Sequence, residues 1–196
     1  MIVYQETKEQ FLRDVRLDQI EEKIEQKVQE RLHKHTAYNE FMSWMNSMQY
    51  MYKVMEDQDI PKDSHIAIEY RIPNSKKRVD FIVSGEDGLG RESAVVIELK
   101  QWQELEKVES KEAIVKTRLQ GRLVETTHPS YQAWSYVSMI QDYNEDVRKY
   151  KIDLKPCAYL HNYRLKQDDD LVNCCNQYYI QHAPDFTRGE TERLAR

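Results

Sequence analysis

With 196 residues, 40% hydrophobic and 32% charged, the chain can bury one sizeable core under a heavily charged surface. Five glycines and five prolines leave little scope for long disordered linkers, and a formal net charge of −5 argues against a surface that binds nucleic acid all over, though not against a basic groove beside an acidic centre. The three cysteines have neither metal nor disulfide spacing, which suits a reducing cytoplasm. No basic leader is expected, and no run nears the roughly 18 apolar residues of a membrane span.

Residues 1–4 read as an apolar edge strand. Thr7 and Gln10 form a capping box that opens a short helix with Phe11, Leu12 and Val15 inward. A second cap at Asp18 starts an amphipathic stretch in which Ile20, Ile24, Val28 and Leu32 recur at helical spacing. The pattern breaks over 33–36, with Thr36 as a cap, so residues 1–36 are expected as a helical extension and 37–196 as the main domain, the two forming one compact unit. From Tyr38 to Met55 the stripe strengthens through Phe41, Trp44, Met48, Met51 and Met55, predicting a substantially buried helix with Glu40 at the border of the stripe.

Three strand-like runs follow. Residues 65–72 alternate, placing Ile66, Ile68, Tyr70 and Ile72 on one face and Glu69 on the other. Residues 77–84 carry Asp80 behind the basic tip Lys76, Lys77 and Arg78. Residues 94–99 are apolar enough for a central strand covered on both faces, and they end in Glu98, Leu99 and Lys100. Residues 101–112 read as polar and irregular or helical, 113–127 as a hairpin bearing Lys116, Arg118 and Arg122, 131–143 as a helix, and 154–160 as a further strand. Beyond Tyr163 the signal weakens to a short helical piece near 171–179. The order of helices, three strands, helix and strand predicts a three-layer α/β fold around a mixed sheet.

Side chains alternate across a strand, so Glu98 and Lys100 point the same way, and Asp80 comes from the neighbouring strand. Two converging carboxylates, with the backbone carbonyl of Leu99 as a further ligand, suit Mg²⁺ or Mn²⁺. An ammonium beside them can orient a water or stabilise charge on a transferring phosphoryl group. Phosphodiester hydrolysis uses that set; a structural ion-pair set at the end of a sheet is the plainer alternative. The two basic patches read either as phosphate contacts or as solvated turns. Trp102 reads as a packing residue before a base-stacking one, and His128 and His161 as half-buried histidines before supporting or water-handling groups of the site. No helical His pair supports zinc, and no phosphate-loop motif supports an ATPase.

In this order, Asp80, Glu98-Leu99-Lys100 and Gln132-Ala-Trp-Ser-Tyr136 resemble the motifs of the PD-(D/E)xK nuclease superfamily, in its RecB-like branch with a QxxxY helix. The resemblance implies a restriction-endonuclease-like core. It assigns Asp80 and Glu98 to the metal, with Glu40 as an additional acid for which Glu69 competes; Lys100 to the attacking water; and Gln132 and Tyr136 to substrate positioning. Arg78-Val79 precedes Asp80 where the family often has Pro-Asp or Gly-x-x-Asp, and three cysteines do not make the iron–sulfur site of some members. The segments SWMNSMQYMY, KRVDFIV, VVIELKQW, HPSYQAWSY and PCAYLHNY further resemble the nuclease-like region that precedes a superfamily 1 helicase-like ATPase in large bacterial proteins. That implies a Mg²⁺-dependent nuclease acting on DNA beside a helicase-like partner, in bacterial defence or DNA processing. The alternative is a catalytically weak module of the same fold that binds DNA or docks a helicase, and a homo-oligomer is left open.

Overall fold

The computed structural model describes residues 2–32 and 38–196, so Met1 and the expected break over 33–36 lie outside the described residues. The chain begins with strand β1 (Tyr4–Thr7) and helices α1 (Lys8–Arg16), α2 (Ile20–Leu32) and α3 (Tyr38–Met55). Strands β2 (His65–Arg71), β3 (Arg78–Glu86) and β4 (Glu92–Lys100) follow. A small three-stranded sheet comes next, made of β5 (Glu106–Lys107), β6 (Ile114–Leu119) and β7 (Arg122–Thr127). Helices α4 (Pro129–Tyr143) and α5 (Glu145–Tyr150) lead to β8 (Asp153–Leu160), and α6 (Gln177–His182), β9 (Asp185–Thr187) and α7 (Thr191–Ala195) close the chain.

The main sheet is mixed, in the order β1-β2-β3-β4-β8-β9. β1 to β4 pair antiparallel, whereas β8 runs parallel to β4 and β9 parallel to β8. A parallel neighbour needs a long crossover, and the small sheet with α4 and α5 supplies it between β4 and β8. Helices α1 to α3 cover one face through Phe11, Val15, Ile20, Ile24, Trp44, Met48 and Met51, packed on Ile66, Ile68, Phe81 and Ile97. Helices α4 and α5 cover the other face through Tyr136, Val137, Ile140 and Val147, packed on Val79, Ala94 and Val96. The fold is therefore α/β with helices on both sides of a mixed sheet. No described helix is long and apolar enough to cross a membrane.

Local chemistry explains the elements. Thr7 Oγ1 accepts from the N–H of Gln10 at 3.3 Å and starts α1. Gln120 and Gly121, both at positive φ, form the two-residue turn that joins β6 to β7. The strand at the start of the chain sits at the sheet edge but covers Tyr4–Thr7 rather than 1–4, because its register against β2 begins with Tyr4 opposite Ile68.

Strand β2 departs from simple alternation. Ile66 and Ile68 face the α1–α3 layer, whereas Tyr70 and Ile72 face α4. The switch occurs at Glu69, whose φ of 59° lies in the left-handed region, where a residue with a side chain is strained. The flip turns Glu69 onto the same face as Ile66 and Ile68, where it meets α3. The neighbouring strand changes face at the matching position: Val79 packs toward α4 and Phe81 toward α1–α3. The pairs Ile68–Phe81 and Tyr70–Val79 flank Glu69 and Asp80, which are left out of the pairing.

The N-terminal helices share the core of the remaining chain. Phe11 is fully buried and meets the rings of Tyr4 and Phe81 edge-on, and Lys8 Nζ donates to the carbonyls of Asp57 and Ile60, both at 2.6 Å. Phe11→Ala is expected to cost about 3 to 5 kcal/mol in one cooperative denaturant transition followed by circular dichroism. A biphasic transition, with the later phase unchanged, would show instead that the N-terminal helices unfold as a separate unit.

Candidate active site

The pairing of β3 with β4 runs as far as Phe81 opposite Ile97 and stops there. Beyond it the carboxylate of Asp80 takes the place of a strand partner: Oδ2 accepts from the backbone N–H of Leu99 at 2.9 Å. A residue in an extended strand directs its N–H and C=O to the same side, so the Leu99 carbonyl also points toward Asp80. β4 continues beside β8, with Glu98 opposite Ala158 and Lys100 opposite Leu160. The acids thus lie at the carboxyl end of a central strand, where one neighbour has separated and the other has not.

Glu98 is 3% exposed. Its Oε1 accepts from Lys100 Nζ at 2.5 Å and from Gln132 Nε2 at 2.7 Å. Lys100 Nζ also donates to Gln132 Oε1 at 3.0 Å, and Gln132 Nε2 reaches the Tyr136 hydroxyl at 2.8 Å. Gln132 and Tyr136 are one helical turn apart on α4, and that spacing aims both at the end of β4. Lys100 rests near the ring of buried Trp102, with Nζ 5.3 Å from its centroid.

The electrostatics follow from burial. Burial and the charge of Asp80 push the Glu98 carboxyl up to about 8, against the pull of Lys100. Burial works against the Lys100 ammonium, but Glu98 and Asp80 outweigh it and hold the group above its ordinary value. Burial and Glu98 also push the Tyr136 phenol up to about 12, so it remains protonated at neutral pH. Glu98 Oε2 is buried without a hydrogen-bond partner, and its carboxyl lies within hydrogen-bonding reach of Asp80. A buried oxygen with no donor, facing a second carboxylate, fits a hard cation. Among the described residues no three His, Cys, Asp or Glu side chains converge on one point. Such a cation would therefore take two carboxylates from the protein and fill its remaining positions with the Leu99 carbonyl, water or substrate oxygens, as Mg²⁺ commonly does.

Asp80 also lines two recesses. One is a groove of about 480 Å³ bordered by Arg71, Ser75, Lys76, Lys77, Arg78, Gln132 and Tyr136. The other is a cavity of about 100 Å³ under α3, lined by Glu40, Ser43, Trp44, Ser47, Glu69, Arg78 and Leu99. In it Arg78 joins two acids: Nη1 meets Glu40 Oε1 at 2.7 Å, and Nε is in ion-pair contact with Glu69 Oε2. Trp44 Nε1 donates to Glu69 Oε1 at 2.8 Å. Burial pushes the Glu69 carboxyl up to about 7, opposed by Arg78.

The structure brings together Asp80, Glu98, Leu99, Lys100, Gln132 and Tyr136, with Lys76, Lys77 and Arg78 beside them. It places Glu40 in the lining of the cavity that Asp80 and Leu99 share, paired there with Arg78 and with its side chain 36% exposed. It does not bring the hairpin residues to the groove: Lys116 stands across from Glu106 and Glu125, Arg118 pairs with Glu104 at 2.7 Å, and Arg122 is exposed at the far turn. Three residues join the site that the sequence reading does not assign to it. Arg71 lines the groove, Trp102 lies beneath Lys100, and Gln101 Nε2 bonds Ser43 and Ser47 on α3. Only the Gln-Trp that directly follows the Glu-x-Lys could have flagged the last two.

Helix α4 is fixed at its start by a buried polar cluster. His128 Nδ1 accepts from the Ser130 N–H at 3.2 Å, while Nε2 donates to the Leu171 carbonyl at 3.0 Å. Both ring nitrogens are used in the neutral form, and burial pushes the imidazole down to about 4. Asp185 approaches to 3.8 Å, but burial raises its carboxyl from 3.8 to about 7, and no ion pair forms.

Compared with family models, curated proteins and solved structures, the chain matches none.

The Asp185 cluster yields a pH test. A raised carboxyl contributes stability that is complete below the unfolded value of 3.8 and is lost as pH rises through about 7. Asp185→Asn cannot ionise, and Ser130 Oγ, within hydrogen-bonding reach of this side chain, can accept from its amide. The variant's stability relative to the native chain is expected to grow by roughly 3 kcal/mol between about pH 4 and pH 7 in urea melts. An equal difference at both pH values would contradict the buried neutral carboxyl.

Proposed function

We propose that this chain is a divalent-metal-dependent nuclease of PD-(D/E)xK type with a restriction-endonuclease-like core, acting on DNA. The observation that carries the reading is that Asp80, Glu98 and Lys100 meet Gln132 and Tyr136 at one strand end, which opens on a groove lined by Arg71, Lys76, Lys77 and Arg78. The order of three helices, three antiparallel strands, a crossover helix and a parallel strand supports it.

In this reading the groove cations bind phosphate oxygens and draw the strand past the carboxylates. Asp80 and Glu98, with the Leu99 carbonyl, hold Mg²⁺ or Mn²⁺, which supplies Lewis-acid polarisation and eases deprotonation of water. Two of the three N–H bonds of Lys100 go to Glu98 and Gln132, leaving the third for the attacking water or a phosphoryl oxygen. Gln132 keeps the ammonium and Glu98 in register, because its carbonyl faces the first and its amide N–H faces the second. Tyr136 keeps its proton and offers a neutral donor beside the groove. A helicase-like partner and a role in bacterial defence rest on the resemblance of sequence segments alone.

Purified chain is expected to cut DNA in Mg²⁺ or Mn²⁺ and not in chelator. Asp80→Ala and Lys100→Ala should each lower the rate by about 10²-fold or more while retaining native circular dichroism. Full cleavage by Lys100→Ala would overturn the role given to that residue. Equal DNA binding in chelator and in Mg²⁺, with no cutting in either, would identify a binding module on the same fold.

A further inference from the structure

The cavity under α3 is a second acidic position next to Asp80. It holds two carboxylates, Glu40 from α3 and Glu69 from β2, and Asp80 lies at its junction with the phosphate groove. Carboxylates placed so, on the far side of a shared aspartate, would ordinarily be available to a second divalent ion. Here the chain puts its own cation between them. We propose that Arg78 fills this second cation position, so that the centre takes one divalent ion and not two. The inference rests on the metal-dependent reading above.

Four observations carry it. Arg78 spans both acids, through Nη1 to Glu40 and Nε to Glu69. Trp44 holds Glu69 Oε1 by a hydrogen bond, and Oε2, which has no hydrogen bond, is in ion-pair contact with Arg78. Glu69 is 3% exposed and reaches this face only through its left-handed backbone, an arrangement held in place by Trp44 and Arg78. A guanidinium stays charged at every ordinary pH, and its planar fork fits two carboxylates, so it does not vacate the position by losing a proton as an ammonium can. A divalent ion entering beside it would meet the guanidinium and find both carboxylates already engaged by it. The chemistry is then left to one ion with Lys100.

The test counts ions. Mn²⁺ alone is titrated into the full chain by calorimetry, with free Mn²⁺ followed by electron paramagnetic resonance. The native chain is expected to bind one tight Mn²⁺, Arg78→Ala to bind two, and the double variant Arg78→Ala with Glu69→Gln to return to one. Two tight ions in the native chain, or one in Arg78→Ala, would overturn the proposal while leaving a metal centre in place. No Mn²⁺ on the folded native chain would instead remove the metal reading itself. Should Arg78→Ala not fold, Glu40→Gln in the otherwise native chain decides. An affinity within about twofold of native supports an acid engaged by Arg78, and a loss of about tenfold or more makes Glu40 a ligand and overturns the proposal.

Discussion

Two carboxylates brought together where neighbouring β-strands part, one of them buried, cannot both ionise unless something else supplies positive charge or proton donors. Asp80 and Glu98 stand in that position, and much of the surrounding structure answers the problem. Leu99 gives Asp80 a backbone N–H that a continuous sheet would have used elsewhere. Lys100 and Gln132 both donate to one oxygen of Glu98 and leave the other without a donor. For stability alone, apolar residues of similar size would serve as well as this arrangement or better. That oxygen, turned toward Asp80, is the observation on which the proposed cation rests.

The same constraint reaches into the fold. For Asp80 to turn out of the ladder, β3 must change face, and β2 changes face beside it at Glu69. That change brings a third acid to the α3 side, where Arg78 and Trp44 compensate it and Glu40 shares the Arg78 guanidinium. On the opposite side, α4 must present Gln132 and Tyr136 at a fixed height. Its start is anchored by His128, whose two ring nitrogens are both used in the neutral state. The acidic centre therefore sits between two positioned helices, with the basic groove opening from Asp80.

Local patterns made much of this legible from residues alone. The Trp and Met stripe marked α3 over Tyr38–Met55, and the apolar run before Glu98 marked the central strand. The four-residue spacing of Gln132 and Tyr136 placed both on one face of α4. What escaped depended on contacts distant in sequence. A left-handed glutamate has no compositional signature, so Tyr70 and Ile72 were expected on the face of Ile66 and Ile68 when they belong to the other. The hairpin cations read equally as a phosphate patch or a solvated turn until the register set Lys116 between Glu106 and Glu125 and brought Glu104 to Arg118. Strand β9 has three residues, too few for any period, and it exists because β8 offers a parallel edge. Glu40 bordered the apolar stripe as expected, but its partner Arg78 could be found only once β3 was packed under α3.

The central claim is that Asp80 and Glu98 together hold one divalent ion. Its most direct test is a crystal soaked in Mn²⁺ and measured for anomalous scattering. The account predicts one peak within about 2.0–2.6 Å of a carboxylate oxygen from each of Asp80 and Glu98, with Arg78 still between Glu40 and Glu69. A crystal that takes up Mn²⁺ with no peak between those two carboxylates would contradict it.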